Sequence, residues 1–600
     1  MPNKLSNLRP YKSLILCRIT EGVKLSALVS SVLDDTRKLL KLGDGDGSRK
    51  LVKKTRTVKA GELSVGFIHY REKQRSSWTI DSHIIDTVNH LILVCRRESY
   101  VAIYISDPRW RASITKRFDK SGENGLGALR RIPSGLLNAA FIKGAARTLW
   151  LSGTHRRTSV KADSKILSGI ELRDALDPLD DQTYFPTAAR CVPEIEDKEF
   201  AVGVAPRNSR IWVGTSTDWN DFVTTVRDLL IHVEKTTVPE QAPLPVLAVA
   251  AIDPAKVEGA YDVGLMPPEA LSDDPSMDAE TREEMETWAY YSDFKIVATE
   301  GPNVSTEILH KGIRLGTVDF NIDLSDPDRV RWTVAGDPSS HAVADLHDEA
   351  LKACKRIDWV KIWYESGHTL NGENVFEVRH RDMPFNSYEW VDFSEYDVTK
   401  EKPSALDVNI VGTEDSLFCW VKNNWPLPGF GAPDGGWLVS DDGSMELADF
   451  IHLDDTSDPP KLSLIHAKGA GSNKASRGLS VSYYEVVTSQ AVKNLRHLDR
   501  ILVEDGLSAG LGKKISQLAW HNRVPSTREK MIEALASIGA NYERYVVVLQ
   551  PHVTKAKLSE VRAKSEGRDW SILRQLDTLL LGAEADCHSL GARLCVCVSS

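Results

Sequence analysis

The chain has 600 residues, 42% hydrophobic and 26% charged, with a net charge of -9 at neutral pH. That length exceeds one ordinary domain and the composition supports several buried cores. No run approaches the roughly eighteen apolar residues of a membrane span, no long period repeats, and the start Met1-Pro-Asn-Lys-Leu lacks a secretory core, so a cytoplasmic protein with no membrane partner is expected.

Residues 1–160 hold thirty Lys and Arg against thirteen Asp and Glu, a net of +17, which leaves -26 on the other 440. A basic region beside an acidic body attracts polyanions in a preferred orientation. The eight cysteines form no CxxC pair and no zinc-spaced cluster with histidine, and are read as reduced thiols.

Taken in chain order, residues 1–240 read as a basic mixed α/β region that engages nucleic acid or a partner. Ser13 to Ile19 predicts a strand, and His90 to Cys95 with Tyr100 to Ile105 a hairpin about Arg96-Arg97-Glu98. Asp107-Pro108 predicts a helix start, since proline suits the first turn. The segment containing Lys50, Lys53, Lys54, Arg56 and Lys59, followed by Arg71, Lys73 and Arg75, is either a solvated loop or a phosphate-binding surface. Thr148 to Leu151 reads as a strand. The His155, Arg156, Arg157, Lys161 and Lys165 cluster fits a surface loop or an anion site, with a short apolar helix expected after Lys165. Ile211 to Val213 predicts a strand and Trp219 to Glu234 a helix.

Pro239 to Pro245 reads as a linker opening a middle α/β domain, 241–405. There Val246 to Ile252 predicts a buried strand, Pro267 to Met285 an exposed acidic loop or short helix, His341 to Lys355 a helix and Trp359 to Trp363 a strand. Phe385, Tyr388, Trp390 and Phe393 are read as core aromatics, with base stacking the alternative.

Residues 406–600 show the most specific order. A helix capped by Thr413 precedes three strands: Gly436 to Val439, a run containing Asp449, and Leu462 to Lys468 with His466 and Lys468 on one face. An amphipathic helix, Ser480 to Leu495, follows; then come the strand Tyr545 to Leu549, a helix through Leu576 to Leu581 and the strand Arg593 to Val598. The fold class is α/β, mixed α+β and multidomain.

The α-β-β-β-α-β order with Asp449, Lys468 and Gln490 resembles the PD-(D/E)xK, or restriction-endonuclease-like, nuclease superfamily. Asp449 matches its aspartate, Lys468 its lysine and Gln490 its helical glutamine; Glu414 or Asp415 matches the acid of its first helix. His466 stands where the family has an acid. The resemblance implies metal-dependent cleavage of DNA in preference to RNA with Mg²⁺ or Mn²⁺. Asp449, His466 and Glu414 would be metal ligands, and Asp449, His466, Lys468, Glu485 and Gln490 the catalytic set. The basic residues, Lys50, Lys53, Lys54, Arg56, Arg156 and Arg157, would bind nucleic acid. The style of this region also resembles large prokaryotic phage-defence proteins. Since the chain has no GxxxxGK[ST] signature, a helicase or ATPase partner in a defence complex is an expectation, and an oligomer remains open. Two alternatives accompany this reading: a catalytically inactive nuclease fold acting as a binding or scaffold subunit, and a phospholipase D-type phosphodiesterase using His466-Ala-Lys468 with a histidine nucleophile.

Overall fold

The computed structural model describes residues 7–600 except 20–23, 42–47, 77, 108–109, 112–113, 115–124, 159, 207–208, 240–241, 251–255, 269–278, 326–329, 378–380, 444–445 and 514–515. The chain forms mixed α and β structure in two compact units, residues 1–176 with 181–379, and residues 177–180 with 380–600. The main division therefore lies at 379/380, and the boundaries expected at 240 and 405 each fall inside a unit.

The first unit is built on an eleven-stranded sheet. Its first strands are β1 (Tyr11–Ile19), β2 (Arg49–Ala60), β3 (Leu63–Arg75), β4 (Ile85–Arg97) and β5 (Tyr100–Ile105). The order across it is β2-β3-β4-β5-β1, continuing through Arg210–Thr215, Val202–Ala205, Tyr184–Val192, Ala145–Gly153 and Ser164–Ser168, with Leu129–Arg131 also pairing β1. Period-two alternation explains the double-sided core. Leu14, Leu16, Val65, Phe67 and Leu93 join the helix Trp219–Lys235 in one cluster, whereas Ile15, Cys17, Ile68, Tyr70 and Val94 join the helix Leu25–Leu40 in another. Each such apolar side chain contributes roughly 1.5–3 kcal/mol when fully buried. The β4–β5 hairpin turns at Glu98, whose φ is +46°.

Two expectations for this unit change, and of the two readings of the acidic excursion the helix holds. Ser164–Ser168 pairs with Ala145–Gly153 as a strand and is no helix, because five residues cannot nucleate a stable helix while a free sheet edge offers hydrogen bonds. Residues 246–247 lie in a turn and only Ala250 forms an isolated bridge, to Phe376. Pro243 and Pro245 withhold two N–H donors just before that run, which opposes a ladder. The acidic excursion, whose middle lies outside the described residues, ends in the helix Ala279–Tyr291, where Met285 and Trp288 are buried. The helix expected from Asp107 also falls largely outside the described residues. Beyond it, Ser292–Glu300, Asn303–His310, Ile313–Asp323 and Arg331–Ala335 form a four-stranded antiparallel sheet packed with Ala344–Cys354.

The second unit carries an eight-stranded sheet: β6 (Tyr388–Val391), β7 (Trp437–Ser440), β8 (Phe450–Asp454), β9 (Lys461–Ala467), β10 (Ala519–His521), β11 (Val524–Pro525), β12 (Glu543–Thr554) and β13 (Arg593–Ser599). Its order is β6-β13-β12-β9-β8-β7-β10-β11. β7, β8 and β9 form an antiparallel meander, and β9, β12, β13 and β6 run parallel. Helix α1 (Leu417–Asn424) shares a cluster with Phe450, Ile465 and Val547; α2 (Ser482–Asn494) and α5 (Gly567–Ser589) share the other with Ile451, Leu464 and Val548. Between them in sequence lie α3 (Arg500–Gly510) and α4 (Arg528–Ser537). Phe385, Tyr388 and Phe393 are buried, as expected of core aromatics. The cap of α1 is Ser416, whose Oγ accepts from the Cys419 N–H at 3.4 Å, and not Thr413, whose hydroxyl donates to the Ile410 carbonyl at 2.8 Å.

Candidate metal centre at the carboxyl end of the second sheet

Strand β9 ends at Ala467, opposite Leu549 of the longer parallel β12, close to where antiparallel β8 begins. Strand carboxyl ends in an open sheet are the usual place for a crevice and its ligand. Asp449 sits one residue before β8, and its Oδ2 accepts from the Ala467 N–H at 2.7 Å, so the carboxylate completes the ladder that the strand leaves open. Lys468 follows the last residue of β9; its own N–H is held by the Leu549 carbonyl at 3.0 Å.

The segment before α1 supplies a further carboxylate. The N–H groups of Leu417 and Phe418, orphaned at the helix start, donate to the carbonyls of Lys400 and Glu401 at 2.9 and 3.1 Å. That contact holds Glu401 in place, and its Oε2 pairs with Lys468 Nζ at 2.7 Å. Lys402 Nζ pairs with Asp442 Oδ1 at 2.7 Å.

One oxygen from each of Asp442, Glu446 and Asp449 lies within 4.8 Å of the others. The loop bearing them is anchored from below. Arg528, 1% exposed, pairs through its guanidinium with Asp441, donates to the Leu507 carbonyl at 2.9 Å and to the Ser516 carbonyl at 3.2 Å. Asp441 in turn accepts from the Leu447 N–H at 2.9 Å, and its N–H donates to the Asp449 carbonyl at 3.1 Å.

Four carboxylates, from Glu401, Asp442, Glu446 and Asp449, meet two ammonium groups, from Lys402 and Lys468. Burial drives the Asp449 carboxyl up to about 7; the Ala467 N–H opposes this, and the charges of Glu446, Glu401 and Asp442 add to it. A buried group with surplus negative charge and only oxygen donors suits a hard divalent cation such as Mg²⁺ or Mn²⁺.

Asp449 and Lys468 are thus brought together, through Glu401. His466 is not part of the cluster: it is 1% exposed, the charge acting on it is Lys493 of α2, and its Nε2 has no hydrogen-bond partner among the described residues. Burial, with Lys493 assisting, lowers its pKa to about 4, so the ring is neutral at pH 7. Glu414 is occupied elsewhere, accepting from the Ser404 N–H at 2.9 Å and from the Ser404 hydroxyl. Glu485 is exposed on the first turn of α2 and Gln490 half-buried further along it. Glu401, Asp442 and Glu446 escaped the sequence reading. Their signal was acids in loops flanking strand ends, which no periodicity marks.

In the first unit, Arg156 pairs with Asp262 at 3.3 Å and lies over the Tyr261 ring, while Arg157 pairs with Asp163 at 3.3 Å and donates to the Leu265 carbonyl at 2.6 Å. These contacts tie a loop to the strand Ala260–Leu265. Lys50 is exposed on β2; Lys53, Lys54 and Arg56 lie on the same strand, with side chains outside the description.

No protein-family model and no curated protein matches the chain. Among the described residues, no helix is long and apolar enough to cross a membrane.

Proposed function

We propose that the 380–600 unit is a restriction-endonuclease-like, metal-dependent nuclease that hydrolyses phosphodiester bonds. The observation carrying this reading is the convergence of Asp442, Glu446 and Asp449 with Lys468 at the carboxyl end of β9. The strand order supports it: an antiparallel β7-β8-β9 meander extended by parallel β12, with α1 and α2 in clusters on opposite faces, is compatible with the α-β-β-β-α-β order read from the sequence, with α3, β10, β11 and α4 inserted before β12.

Asp442, Glu446 and Asp449 would hold a divalent ion, which when bound polarises a phosphate and acidifies a water. Asp449 is fixed by the Ala467 N–H, so its free oxygen keeps one orientation. Lys468 is 40% exposed and within reach of incoming phosphate; exchanging Glu401 for a phosphoryl oxygen would place its ammonium where negative charge develops. On this reading Glu401, paired with Lys468, would stand in for the acid that the family carries two residues before the lysine.

The test is cleavage of labelled single- and double-stranded DNA and RNA with Mg²⁺ or Mn²⁺. Activity abolished by EDTA and by Asp449→Asn or Lys468→Ala, with unchanged folding, supports the proposal; full activity in both variants overturns it. One observation favours a second reading, an inactive nuclease fold that binds nucleic acid as a scaffold: His466 has replaced the family's acid and is buried away from the cluster. Nucleic-acid binding with no cleavage under any metal would select it. The phospholipase D-type alternative finds no support, because a histidine 1% exposed cannot attack a substrate.

A further inference from the structure

Strands β3 and β4 are longer than the core they cover. β3 is buried from Leu63 through Tyr70 except for a half-buried Ser64, and β4 is mostly buried from His90 to Cys95. Beyond those points the antiparallel register continues for five more pairs, from Arg71↔Asn89 to Arg75↔Ile85, as a ribbon whose odd-numbered β3 face is exposed. On that face Arg71, Lys73 and Arg75 stand in a row. Their register partners are Asn89, Thr87 and Ile85, with no carboxylate among them. On the other side Arg71 lies directly opposite exposed Lys50 of β2.

The described residues of the tip are held by local hydrogen bonds and carry two exposed apolar side chains. Ser76 N–H donates to the Ile84 carbonyl at 3.2 Å, Thr79 N–H to the Ser76 carbonyl at 3.2 Å, and His83 N–H to Asp81 Oδ1 at 2.9 Å. These bonds present Trp78 and Ile80 to solvent at 76% and 92% exposure. An indole that is fully desolvated neither by the core nor by a neighbouring strand is available for stacking.

We propose that this ribbon binds single-stranded nucleic acid, with the backbone along Arg71, Lys73 and Arg75 and a base stacked on Trp78. Alternate residues of an antiparallel strand repeat at about 7 Å, comparable with the separation of successive phosphates on an extended strand. A row of cations ending in an exposed aromatic is the combination by which proteins hold unpaired bases without reading sequence. A duplex satisfies the cations but hides its bases from Trp78. Insertion of the tip into an anionic membrane is disfavoured by Asp81 at its centre and by Asp86 at the start of β4. The inference rests on the nucleic-acid part of the reading above, though not on cleavage.

The experiment is fluorescence anisotropy of a labelled oligo(dT), an oligo(U) and a DNA duplex, each of about 20 nucleotides, with the full chain in EDTA so that no cleavage intervenes. Three or four phosphate contacts predict a loss of roughly 20- to 50-fold in single-strand affinity between about 50 and 200 mM salt. The triple variant Arg71→Glu, Lys73→Glu, Arg75→Glu should bind at least about 20-fold more weakly and lose most of that salt dependence. Trp78→Ala should weaken oligo(dT) and oligo(U) about tenfold and leave the weaker duplex binding unchanged. Should charge reversal lower the melting temperature, the Gln triple replaces it with the same expectation of weakened binding. Unaltered affinity in a folded triple variant overturns the proposal. So does a duplex preference insensitive to Trp78→Ala, or capture by phosphatidylserine vesicles in the absence of oligonucleotide binding. Binding without cleavage would sink only the nuclease reading, whereas cleavage with wild-type binding in the triple variant would sink only this one.

Discussion

Two clusters of potential ligand atoms, one in each unit, are balanced by their surroundings to different degrees. Glu72, His90 and Asp107 of the first unit bring one potential ligand atom each within 4.8 Å, as Asp442, Glu446 and Asp449 do in the second. In the first, Arg49 pairs with Glu72 at 2.8 Å, Tyr70 donates to Asp107 at 2.7 Å, and Tyr70 stacks on His90. In the second, single backbone N–H groups meet Asp449 and Glu446, Lys402 pairs with Asp442 and Lys468 with Glu401, and four carboxylates against two ammonium groups leave negative charge over. Buried carboxylates answered by internal donors hold a fold together, whereas buried carboxylates left with surplus charge wait for a cation. Similar clustering is thus balanced in two different ways.

The largest expected effect is on activity. Asp449→Asn should lower metal-dependent cleavage roughly a thousandfold and Lys468→Ala about a hundredfold, while Glu72→Gln leaves turnover per folded molecule within about threefold; equal losses in Glu72→Gln and Asp449→Asn would erase the distinction. Next, Arg528→Ala should cost about 3–5 kcal/mol in urea unfolding, because it strands the buried Asp441 carboxylate beneath the acidic loop. A loss below about 1 kcal/mol would show that the loop needs no such anchor.

His452 provides a reference outside the acidic cluster, with Asp454 and Asp455 only partly opposing the effect of burial. Burial lowers its pKa to about 4 from the ordinary 6.5, with Nε2 facing the Gly435 carbonyl at 3.2 Å. Its folded pKa lies below its unfolded value, so its contribution is complete above pH 6.5 and is lost as pH falls from 6.5 to 4. That loss is on the order of 3 kcal/mol, and His452→Gln should flatten the stability profile across that window; an unchanged slope would refute it. Mn²⁺ at about a hundred times its dissociation constant should stabilise the wild type by about 2.7 kcal/mol. Glu72→Gln should retain this gain and Asp449→Asn lose it, as read by thermal melting in Mn²⁺ against EDTA. Smallest of all, Tyr70→Phe should cost about 1–3 kcal/mol by leaving Asp107 short of a donor.

Sequence periodicity revealed most of what positions the candidate site. The apolar alternation of β9 and β12, the 3.6-residue pattern of α2 and the spacing of Asp449 from Lys468 are local signals, and each element exists where expected. Glu401, Asp442 and Glu446 were not legible, because they join Asp449 and Lys468 through contacts spanning loops. The sequence places His466 on the face of Lys468, but β9 ends between them: the last ladder residue is Ala467, and Lys468 leaves the pleat to reach Glu401. The four-stranded sheet from Ser292 to Ala335 went unread even though Val304, Thr306, Ile308 and His310 alternate into its core. Its partner faces are polar and exposed, which dilutes the apolar run.

The parallel pairing of β9 with β12, and of β12 with β13, has a consequence for the order of synthesis. β12 lies between β9 and a strand, Arg593–Ser599, that leaves the ribosome more than a hundred residues after Lys468. Until that last strand arrives, β12 has an open edge and Val546 and Val548 lack the Leu594 and Val596 that complete their cluster. Domains fold as units during translation, so nascent chains carrying Asp449 and Lys468 would remain inert. On the proposed reading, a nuclease would thereby stay inactive until its last strand is made.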